Sequence, residues 1–376
     1  MTVTQNYLGV ELPDEKFAKP QNFDLKSSDV NELVAAALDE PLDFPRLRDS
    51  VFPGDKIVVV LQSGLPKPRP LVAAIARYLD STEINPDDVT YLSSYQLDPP
   101  ATDGPEVVVH DAGDEQGTAY IAANLEGQPI LINRALFDAD VILPVCMATT
   151  IESDTRDCIY PEFSAADTRT RFQDEKGTRN ARATEVETAN NSLGIFFALR
   201  IVAGPGDEIA QAFFGRKELV ESTAGKTSDE CWTVNSEPDS RVVVATIESL
   251  PARQNWEHVF HAIVAANRMA PDCDQLVLLS KLSEKPKKMT RAMLQLQFET
   301  DTNSVNRVMR KASATQKEVA EIVREKTVYL KSELPESVVE SVGLGFIKTD
   351  EELQRLLDKF DSGVLLRDAH FCRVQI

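Results

Sequence analysis

A proline-rich loop between an apolar run and a helical segment carries two cations, Lys67 and Arg69. It reads Ser63-Gly-Leu-Pro-Lys-Pro-Arg-Pro70, and its three prolines restrict the backbone. The loop follows the predicted strand at 56–61, and open α/β sheets bind ligands beyond the carboxyl ends of their strands. Preorganised cations suit a carboxylate or a phosphate. We therefore expect Ser63, Lys67 and Arg69 to bind a small anion such as a carboxylate; a rigid connection with solvated charges is the alternative.

A second polar loop follows the next apolar run. It reads Tyr91-Leu-Ser-Ser-Tyr-Gln-Leu-Asp-Pro-Pro100 and comes after the predicted strand at 88–92. Parallel strands bring their carboxyl ends to the same edge of a sheet, so this loop could line the same crevice. Tyr95 and Gln96 are therefore ligand-binding candidates, and a solvated polar loop is the alternative.

His110 and Asp111 end another predicted strand, at 106–110. A histidine next to an aspartate could form an acid–base pair, but adjacent strand residues point to opposite faces. His110 is a ligand-binding candidate, with a hydrogen-bonded structural histidine as the alternative that the strand geometry favours.

Three residues of a predicted helix at 256–266 could also do chemistry. Glu257 and His261 are four residues apart, so their side chains share a face, and His258 lies between them. Glutamate and histidine at this spacing can bind a metal ion, but the spacing identifies no third ligand. Glu257 is thus a ligand-binding candidate, His258 and His261 join Lys67 as catalytic candidates, and a packed helix end is the alternative.

The elements that must position these residues alternate between strand-like and helical patterns. Apolar, β-branched runs typical of buried strands lie at 56–61, 88–92, 106–110, 129–132, 140–143, 241–247 and 275–279. Helical spacing occurs at 70–79, 256–266, 318–326, 336–342 and 351–360. The alternation predicts two α/β domains with mainly parallel sheets. We place them at 1–237 and 238–361, and the closing strands at 362–376 could join the first domain.

Composition narrows the classes of function. The chain of 376 residues has a formal charge of −20, which argues against binding nucleic acids or anionic membranes. No stretch is long and apolar enough to span a membrane, and the first residues do not resemble a secretion signal. The five cysteines are odd in number and form no CxxC pair, so we expect free thiols and a cytoplasmic location.

The segment 152–187 is polar, with arginines mixed among acids and almost no apolar periodicity. A stretch of this kind is typically a functional loop or partly mobile. We expect it to be mobile, or to be ordered by salt bridges and a partner subunit. Alternatively, Arg156, Arg169 and Arg171 could turn inward and join the cations of the proline-rich loop in one anion site.

The order of several segments resembles the nickel-dependent lactate racemase family over nearly the whole chain. The similar segments are Val107-Val-Val-His-Asp-Ala112, Ile130-Leu-Ile-Asn133, Gly194-Ile-Phe-Phe-Ala-Leu-Arg-Ile-Val202 and Pro251-Ala-Arg-Gln-Asn-Trp256. The resemblance implies two α/β domains with a cleft between them. It also implies isomerisation of a 2-hydroxy acid in that cleft.

The family's cofactor is a nickel-pincer nucleotide fixed to a lysine, and its histidines shuttle a proton. In the segment that resembles the cofactor-bearing one, Thr168 stands at the lysine and Cys158 at a metal-binding histidine. Lys67 stands at the family's loop arginine, and His258 and His261 stand at its second-domain glutamine and lysine. The resemblance therefore implies the fold without the tethered cofactor. Cys158, His258 and His261 are weak candidates for binding a soft metal.

Two functions are left open. The chain could be a divergent lactate racemase-like isomerase acting on a small hydroxy acid whose carboxylate Lys67 and Arg69 hold. Alternatively, it could be a non-catalytic protein that binds a small anion or a partner on the same fold. A homo-oligomer is compatible with both.

Overall fold

The chain divides into two units, each with its own sheet. In a computed structural model, the N-terminal unit comprises Asp24–Gly204 and Glu208–Ser228, and the C-terminal unit comprises Met1–Phe23, Pro205–Asp207 and Asp229–Ile376. The structure describes residues 4–7, 10–13, 16–21, 29–97, 104–148, 157–173, 179–249, 254–299, 301–310 and 312–375.

Strands and helices alternate along most of the chain. The strands are β1 (Thr4–Tyr7), β2 (Val10–Pro13), β3 (Phe17–Ala18), β4 (Ile57–Leu61), β5 (Val89–Ser93), β6 (Val107–Val109), β7 (Thr118–Ala123), β8 (Pro129–Asn133), β9 (Val141–Met147), β10 (Phe197–Ala203), β11 (Ile209–Arg216), β12 (Thr233–Asn235), β13 (Val242–Thr246), β14 (Gln275–Leu279), β15 (Thr327–Lys331), β16 (Gly345–Phe346), β17 (Gly363–Leu366) and β18 (Arg373–Gln375). The helices are α1 (Val30–Asp39), α2 (Pro68–Asp80), α3 (Arg134–Phe137), α4 (Ala166–Gln173), α5 (Arg179–Ser192), α6 (Lys217–Trp232), α7 (Trp256–Met269), α8 (Lys288–Leu294), α9 (Thr302–Met309), α10 (Ala314–Glu325), α11 (Glu336–Ser341) and α12 (Asp350–Leu357).

The sheet of the N-terminal unit has six strands in the order β11-β10-β9-β4-β5-β6. All neighbours are parallel except β10 and β11, which form an antiparallel hairpin at one edge. Strand β4 is buried along its whole length, which its uninterrupted valine-rich sequence predicts. Val58 and Val60 lie in a core cluster with Ile132 of the β7–β8 hairpin and with Phe163. This hairpin therefore covers one face of the sheet.

The predicted strand at 129–132 exists, but it does not join the parallel sheet. It is part of β8, which pairs antiparallel with β7 in a separate sheet of two strands. A short apolar run has the same appearance whether it is buried inside a sheet or beneath it, so the pattern alone does not distinguish the two.

The two edges of the first sheet differ. At the β11 edge, Leu42 donates its N–H to the carbonyl oxygen of Phe214 at 2.8 Å and accepts from Arg216 N–H at 2.9 Å. Gly215 has φ +146°, and a Cβ there would lie 2.2 Å from the Leu42 carbonyl oxygen, so glycine allows this close approach. At the other edge, β5 is the one strand that pairs with β6 among the described residues, and Val108 and Val109 are exposed.

The sheet of the C-terminal unit also has six strands, in the order β16-β15-β14-β13-β17-β3, and all of its neighbours are parallel. Alternate residues of β13 face opposite sides. Val243 lies in a cluster with α7 and α10, and Val244 lies in a second cluster with Leu353 of α12. Both faces are thus covered by helices, as a doubly wound parallel sheet requires.

The C-terminal strands correct the predicted domain division. The sequence left open that segment 362–376 joins the first domain. In the structure, β17 of this segment pairs with β13 in the middle of the second sheet. Residues 1–23 also belong to the C-terminal unit, because β3 pairs with β17 at the edge of that sheet. The predicted boundary after residue 237 therefore differs from that of the structure, where the chain enters this unit at Asp229.

The prediction of five free thiols was wrong. Cys146 at the end of β9 and Cys158 form a disulfide, while Cys231, Cys273 and Cys372 are free. Both half-cystines lie in the core cluster beneath the sheet. The two cysteines are only 12 residues apart, but no local pattern indicates the pairing, which forms because the segment after Cys158 packs back onto the strand that carries Cys146.

Where the structure describes it, the polar segment 152–187 contains α4 and the first part of α5 and is partly buried. Arg171 of α4 forms an ion pair with Glu185 of α5, and Phe172 is buried in the same core cluster as the disulfide. Arg171 also donates to the carbonyl oxygen of Pro129, so it does not join an anion site with Lys67. Arg156 lies outside the described residues. In this part of the segment, buried apolar side chains such as Phe163 and Phe172 contribute to the order together with the Arg171–Glu185 ion pair, and the sequence pattern did not predict that burial.

In the described part of the chain, no helix combines the length and the apolar character needed to cross a bilayer.

The disulfide predicts a thiol count. Protein denatured without reductant should react with a thiol reagent at three cysteines, and at five after reduction. Replacing both Cys146 and Cys158 by serine should lower the free energy of unfolding by about 3 kcal/mol, because the closed loop no longer restricts the unfolded chain. Five reactive thiols without reductant would contradict the pairing; Cys231→Ser is the control.

Candidate functional site

The carboxyl ends of β4 and β9 define the crevice of the N-terminal sheet. The chain leaves β4 towards β5 and leaves β9 towards β10, so the strand order reverses between these two strands. Ligands of open α/β sheets bind at such a point. The side chain of Gln62 bridges it, since its Oε1 accepts the Met147 N–H at 2.9 Å.

Lys67 lies at this edge, immediately before helix α2. Its backbone is in the left-handed region (φ 43°), and it occupies the N-cap position of the helix. Pro68 and Pro70 lack N–H groups, so the first turn offers an anion fewer backbone donors than usual. Positive charge at this point therefore comes from side chains. The Lys67 ammonium forms an ion pair with Glu208, which precedes β11, and both groups are partly exposed.

Glu162 forms hydrogen bonds with the residues that follow both β4 and β5. Its Oε1 accepts a hydrogen bond from the Ser94 hydroxyl and another from the Ser63 N–H at 3.3 Å. The predicted residue Ser63 thus contributes its backbone N–H, and the acceptor is the carboxylate of Glu162, which no sequence pattern indicated.

The other predicted loop residues form contacts within the loop that follows β5 or are exposed. Arg69 donates to the carbonyl oxygen of Leu97 at 3.0 Å. Tyr95 donates its N–H to the Ser93 hydroxyl at 3.3 Å, and Gln96 is exposed. Arg69 therefore supports the loop that follows β5.

His110 has the geometry of a structural histidine. It is buried, Asn133 Nδ2 donates to its Nδ1 at 3.0 Å, and its Nε2 donates to the Ser164 carbonyl oxygen at 3.0 Å. Burial lowers the pKa of His110, so the neutral ring that these two bonds require is favoured. Both ring nitrogens are occupied within the protein.

A buried ion pair anchors the segment that leads to Glu162. Asp157 accepts from the Lys217 ammonium and from the Asn190 amide. Although burial acts to raise the pKa of Asp157, Lys217 and the Cys158 N–H hold it below its usual value. Together with the disulfide, this pair fixes the start of the segment that carries Glu162.

The residues at the family's cofactor positions do not fit a lysine-anchored nickel nucleotide. Thr168 has no amine, its side chain is buried, and its Oγ1 accepts the Leu131 N–H at 3.4 Å. Cys158 is bonded to Cys146, so it is not a metal-ligating thiolate. Within the described residues, no group of three or more His, Cys, Asp or Glu side chains is placed to hold a metal ion. The suggestion that Cys158 could bind a soft metal with His258 or His261 was therefore wrong.

The C-terminal sheet has an equivalent reversal between β13 and β17, and an acidic residue is buried there. Asp368, just after β17, accepts the N–H groups of Gly206 and Glu248, each at 2.7 Å. The Glu248 carboxylate accepts in turn from Arg367 and from the Thr246 hydroxyl. Burial and the neighbouring Glu248 charge raise the pKa of Asp368 to about 7, so this carboxyl group titrates near neutrality.

The predicted histidines of α7 lie near a third, buried histidine. The ring centroids of His258 and His370 are 4.6 Å apart, and the His370 ring is 4.0 Å from that of Phe371. Burial, followed by the charges of His258 and His261, lowers the pKa of His370. Both of its ring nitrogens lack a hydrogen-bond partner in the described structure. Glu257, the other predicted residue of α7, is exposed.

Sequence reasoning missed five residues that organise these edges: Glu162, Glu208, Glu248, Asp368 and His370. Asp368 and His370 could have been identified as candidates from the sequence, because Arg367-Asp-Ala-His370 directly follows a buried apolar run. Glu162 and Glu208 could not, because each contacts a partner that is far away in the sequence.

The fold is similar to those of solved structures over nearly the whole chain. The lactate racemase apoprotein from Thermoanaerobacterium thermosaccharolyticum matches with a TM-score of 0.64 and 16% identity, covering 100% of both chains. A Thermotoga maritima protein solved by the Northeast Structural Genomics Consortium matches with a TM-score of 0.55 and 14% identity, covering 94% of this chain and 100% of that one. No protein-family model and no curated protein matches the sequence. The predicted lactate racemase-like α/β fold is thus confirmed, and these identities show the fold alone.

Asp368 predicts a pH dependence of stability. Its pKa is raised from the ordinary 3.8 to about 7, so between these values the folded state binds more protons than the unfolded state. Its contribution to stability is therefore present at low pH and decreases as the pH rises to 7, by up to about 1.4 kcal/mol per pH unit. Asp368→Asn should remove this dependence.

Tryptophan fluorescence during urea unfolding measures the effect, because both tryptophans, Trp232 and Trp256, are buried in the C-terminal unit. Wild type and Asp368→Asn are compared at pH 5 and pH 8, and Asp358→Asn, at an exposed helix end, serves as the control. A stability difference between wild type and Asp368→Asn that is the same at both pH values would contradict the assignment.

Proposed function

We propose that this chain is a divergent lactate racemase-like protein that binds a small carboxylic acid of the 2-hydroxy acid type at the carboxyl edge of its first sheet. The observation that carries the proposal is the Lys67–Glu208 ion pair beside the reversal of strand order. In this pair, the Glu208 carboxylate contacts the ammonium group of Lys67, whose backbone is restrained by the neighbouring prolines. A ligand carboxylate can replace Glu208 without leaving a buried charge unpaired, because Lys67 and Glu208 are both partly exposed.

The neighbouring groups suit the hydroxyl of such a ligand. Glu162 accepts the Ser63 N–H and Glu208 accepts from Lys67 in the same loop, and an ionised carboxylate accepts hydroxyl hydrogen bonds. A ligand with one carboxylate and one adjacent hydroxyl therefore finds a cation and acceptors within one unit. Lys67 is the residue proposed to contact the ligand, and Ser63 and Arg69 support it by holding the loops.

Isomerisation of the bound hydroxy acid is the second candidate function. It is favoured by the likeness to a lactate racemase apoprotein across the full chain. Thr168 and the Cys146–Cys158 disulfide argue against the family's tethered cofactor, so such a reaction would need different chemistry. Incubation with L-lactate followed by chiral chromatography separates the two candidates: D-lactate formed in proportion to protein would establish the isomerase.

The proposed partner is a small anion, and the charge of −20 argues against nucleic acids and anionic membranes. A cytoplasmic location and a homo-oligomer remain predictions. The buried disulfide removes the support that free thiols gave to the cytoplasmic location.

Two substitutions of the ion pair should change lactate affinity in opposite directions. Lys67→Met removes the cation that meets the carboxylate and should weaken binding about tenfold or more, since hydrogen bonds to charged groups contribute about 1.5–3 kcal/mol. Glu208→Gln removes the internal competitor for Lys67 and should tighten binding. Isothermal titration calorimetry with L- and D-lactate measures both effects.

Lys226→Met is the matched control, because Lys226 is an exposed lysine of the same unit. Weaker binding after both Lys67→Met and Glu208→Gln would mean that the pair has a structural role only. Equal affinities in wild type and Lys67→Met would exclude Lys67 from the site.

The purified protein should carry no covalent cofactor. Thr168 lacks the amine to which the family's nucleotide is attached, and its hydroxyl lies against β8. Intact mass spectrometry should therefore give the mass of the chain, less the two hydrogens lost in forming the disulfide. An added mass the size of a nucleotide would overturn this prediction.

A further inference from the structure

A cavity of about 580 Å³ lies in the N-terminal unit, between α2 and the strands β5 and β6. It is distinct from the Lys67 site, because it is lined by the end of α2 and the beginning of β5, whereas Lys67 precedes α2. Its volume is within the range of pockets that hold small organic molecules.

The buried part of the cavity lining is mainly apolar, and Thr90 and Tyr91 are its two hydroxyl-bearing residues. Leu79, Ile84 and Tyr91 line it, with 2%, 6% and 5% of their surfaces exposed. In the described part of the chain, the Tyr91 hydroxyl makes no hydrogen bond. A tyrosine buried to this extent usually has a partner for its hydroxyl, so the group is available to a molecule in the cavity.

The rim of the cavity is acidic. Asp80, Asp87 and Glu106 are exposed around it, and the described lining includes no lysine, arginine or histidine. Unlike Glu208 at the Lys67 site, these carboxylates form no ion pair within the described residues. Burial, followed by the charge of Asp80, raises the pKa of Tyr91, so its hydroxyl remains neutral and can accept a hydrogen bond.

We propose that this cavity is a binding site for a small organic amine with an apolar body. The apolar part would lie on Leu79, Ile84 and the Tyr91 ring, and the ammonium group would meet the carboxylates of the rim. An aromatic ring beside carboxylates is a favourable environment for an ammonium group. A carboxylic acid, the ligand class proposed for the Lys67 site, would be repelled here.

Three probes of nearly equal shape test the charge preference: 3-phenylpropylamine, 3-phenylpropanol and 3-phenylpropionate. Binding to the full chain is measured by isothermal titration calorimetry and by NMR of ring-labelled tyrosine. The amine should bind saturably and at least about tenfold more tightly than the alcohol, and the acid should bind least. The affinity for the amine should fall as salt is added, because salt screens the charges of the rim carboxylates.

Two conservative variants locate the site. Asp80→Asn should weaken amine binding about tenfold, and Tyr91→Phe should weaken it severalfold by removing the hydroxyl alone. Asp138→Asn and Tyr120→Phe replace exposed residues of the same unit and should leave the affinity unchanged. Circular dichroism checks that each variant is folded, and lactate binding should be unchanged in all four.

Absence of saturable amine binding would overturn the proposal, as would equal affinity for the three probes. Amine affinities within about twofold of wild type in both Asp80→Asn and Tyr91→Phe would also overturn it, because binding would then occur elsewhere.

Discussion

Both units depend on a central strand whose backbone is hydrogen-bonded on both sides. In the N-terminal unit this strand is β4, between β9 and β5, and in the C-terminal unit it is β13, between β14 and β17. All five side chains of each strand are buried, so their N–H and C=O groups have no access to water. Unpaired, each such group would cost about 1–3 kcal/mol, and pairing with two parallel neighbours satisfies them. Because these strands are parallel, the loops that follow them lie at one edge of each sheet.

Charges at these edges are matched within the protein. Lys67 pairs with Glu208, Arg367 with Glu248 and Lys217 with Asp157. A ligand anion must therefore compete with carboxylates already present, which favours exchange at a partly exposed pair over binding at a buried one. The cavity beside β5 differs, because its acidic rim has no internal counter-charge among the described residues.

Features formed by residues close together in the sequence could be predicted from it, and features formed by contacts between separate segments could not. The continuous apolar runs of β4 and β14 and the helical spacing of α7 are local, and the sequence predicted the bounds of all three to within three residues. The Cys146–Cys158 bond and the contact of Glu162 with Ser94 depend on how the chain folds back on itself, which no periodicity encodes. The positions of Lys67 and Arg69 after β4 were predicted from the apolar run that precedes their loop. Their partners were not, because a charged residue in a loop does not reveal which opposite charge it meets.

The assignment of residues 1–23 to the C-terminal unit makes the N-terminal unit an insertion within the other one. Strand β3, near the beginning of the chain, is an edge strand of a sheet whose other strands all come after residue 241. During synthesis, the N-terminal unit can bury its core while β3 is still without its neighbour β17, which is made almost last. The two units are thus expected to become stable on the ribosome in a set order, and the second sheet is completed only once the chain is nearly full length.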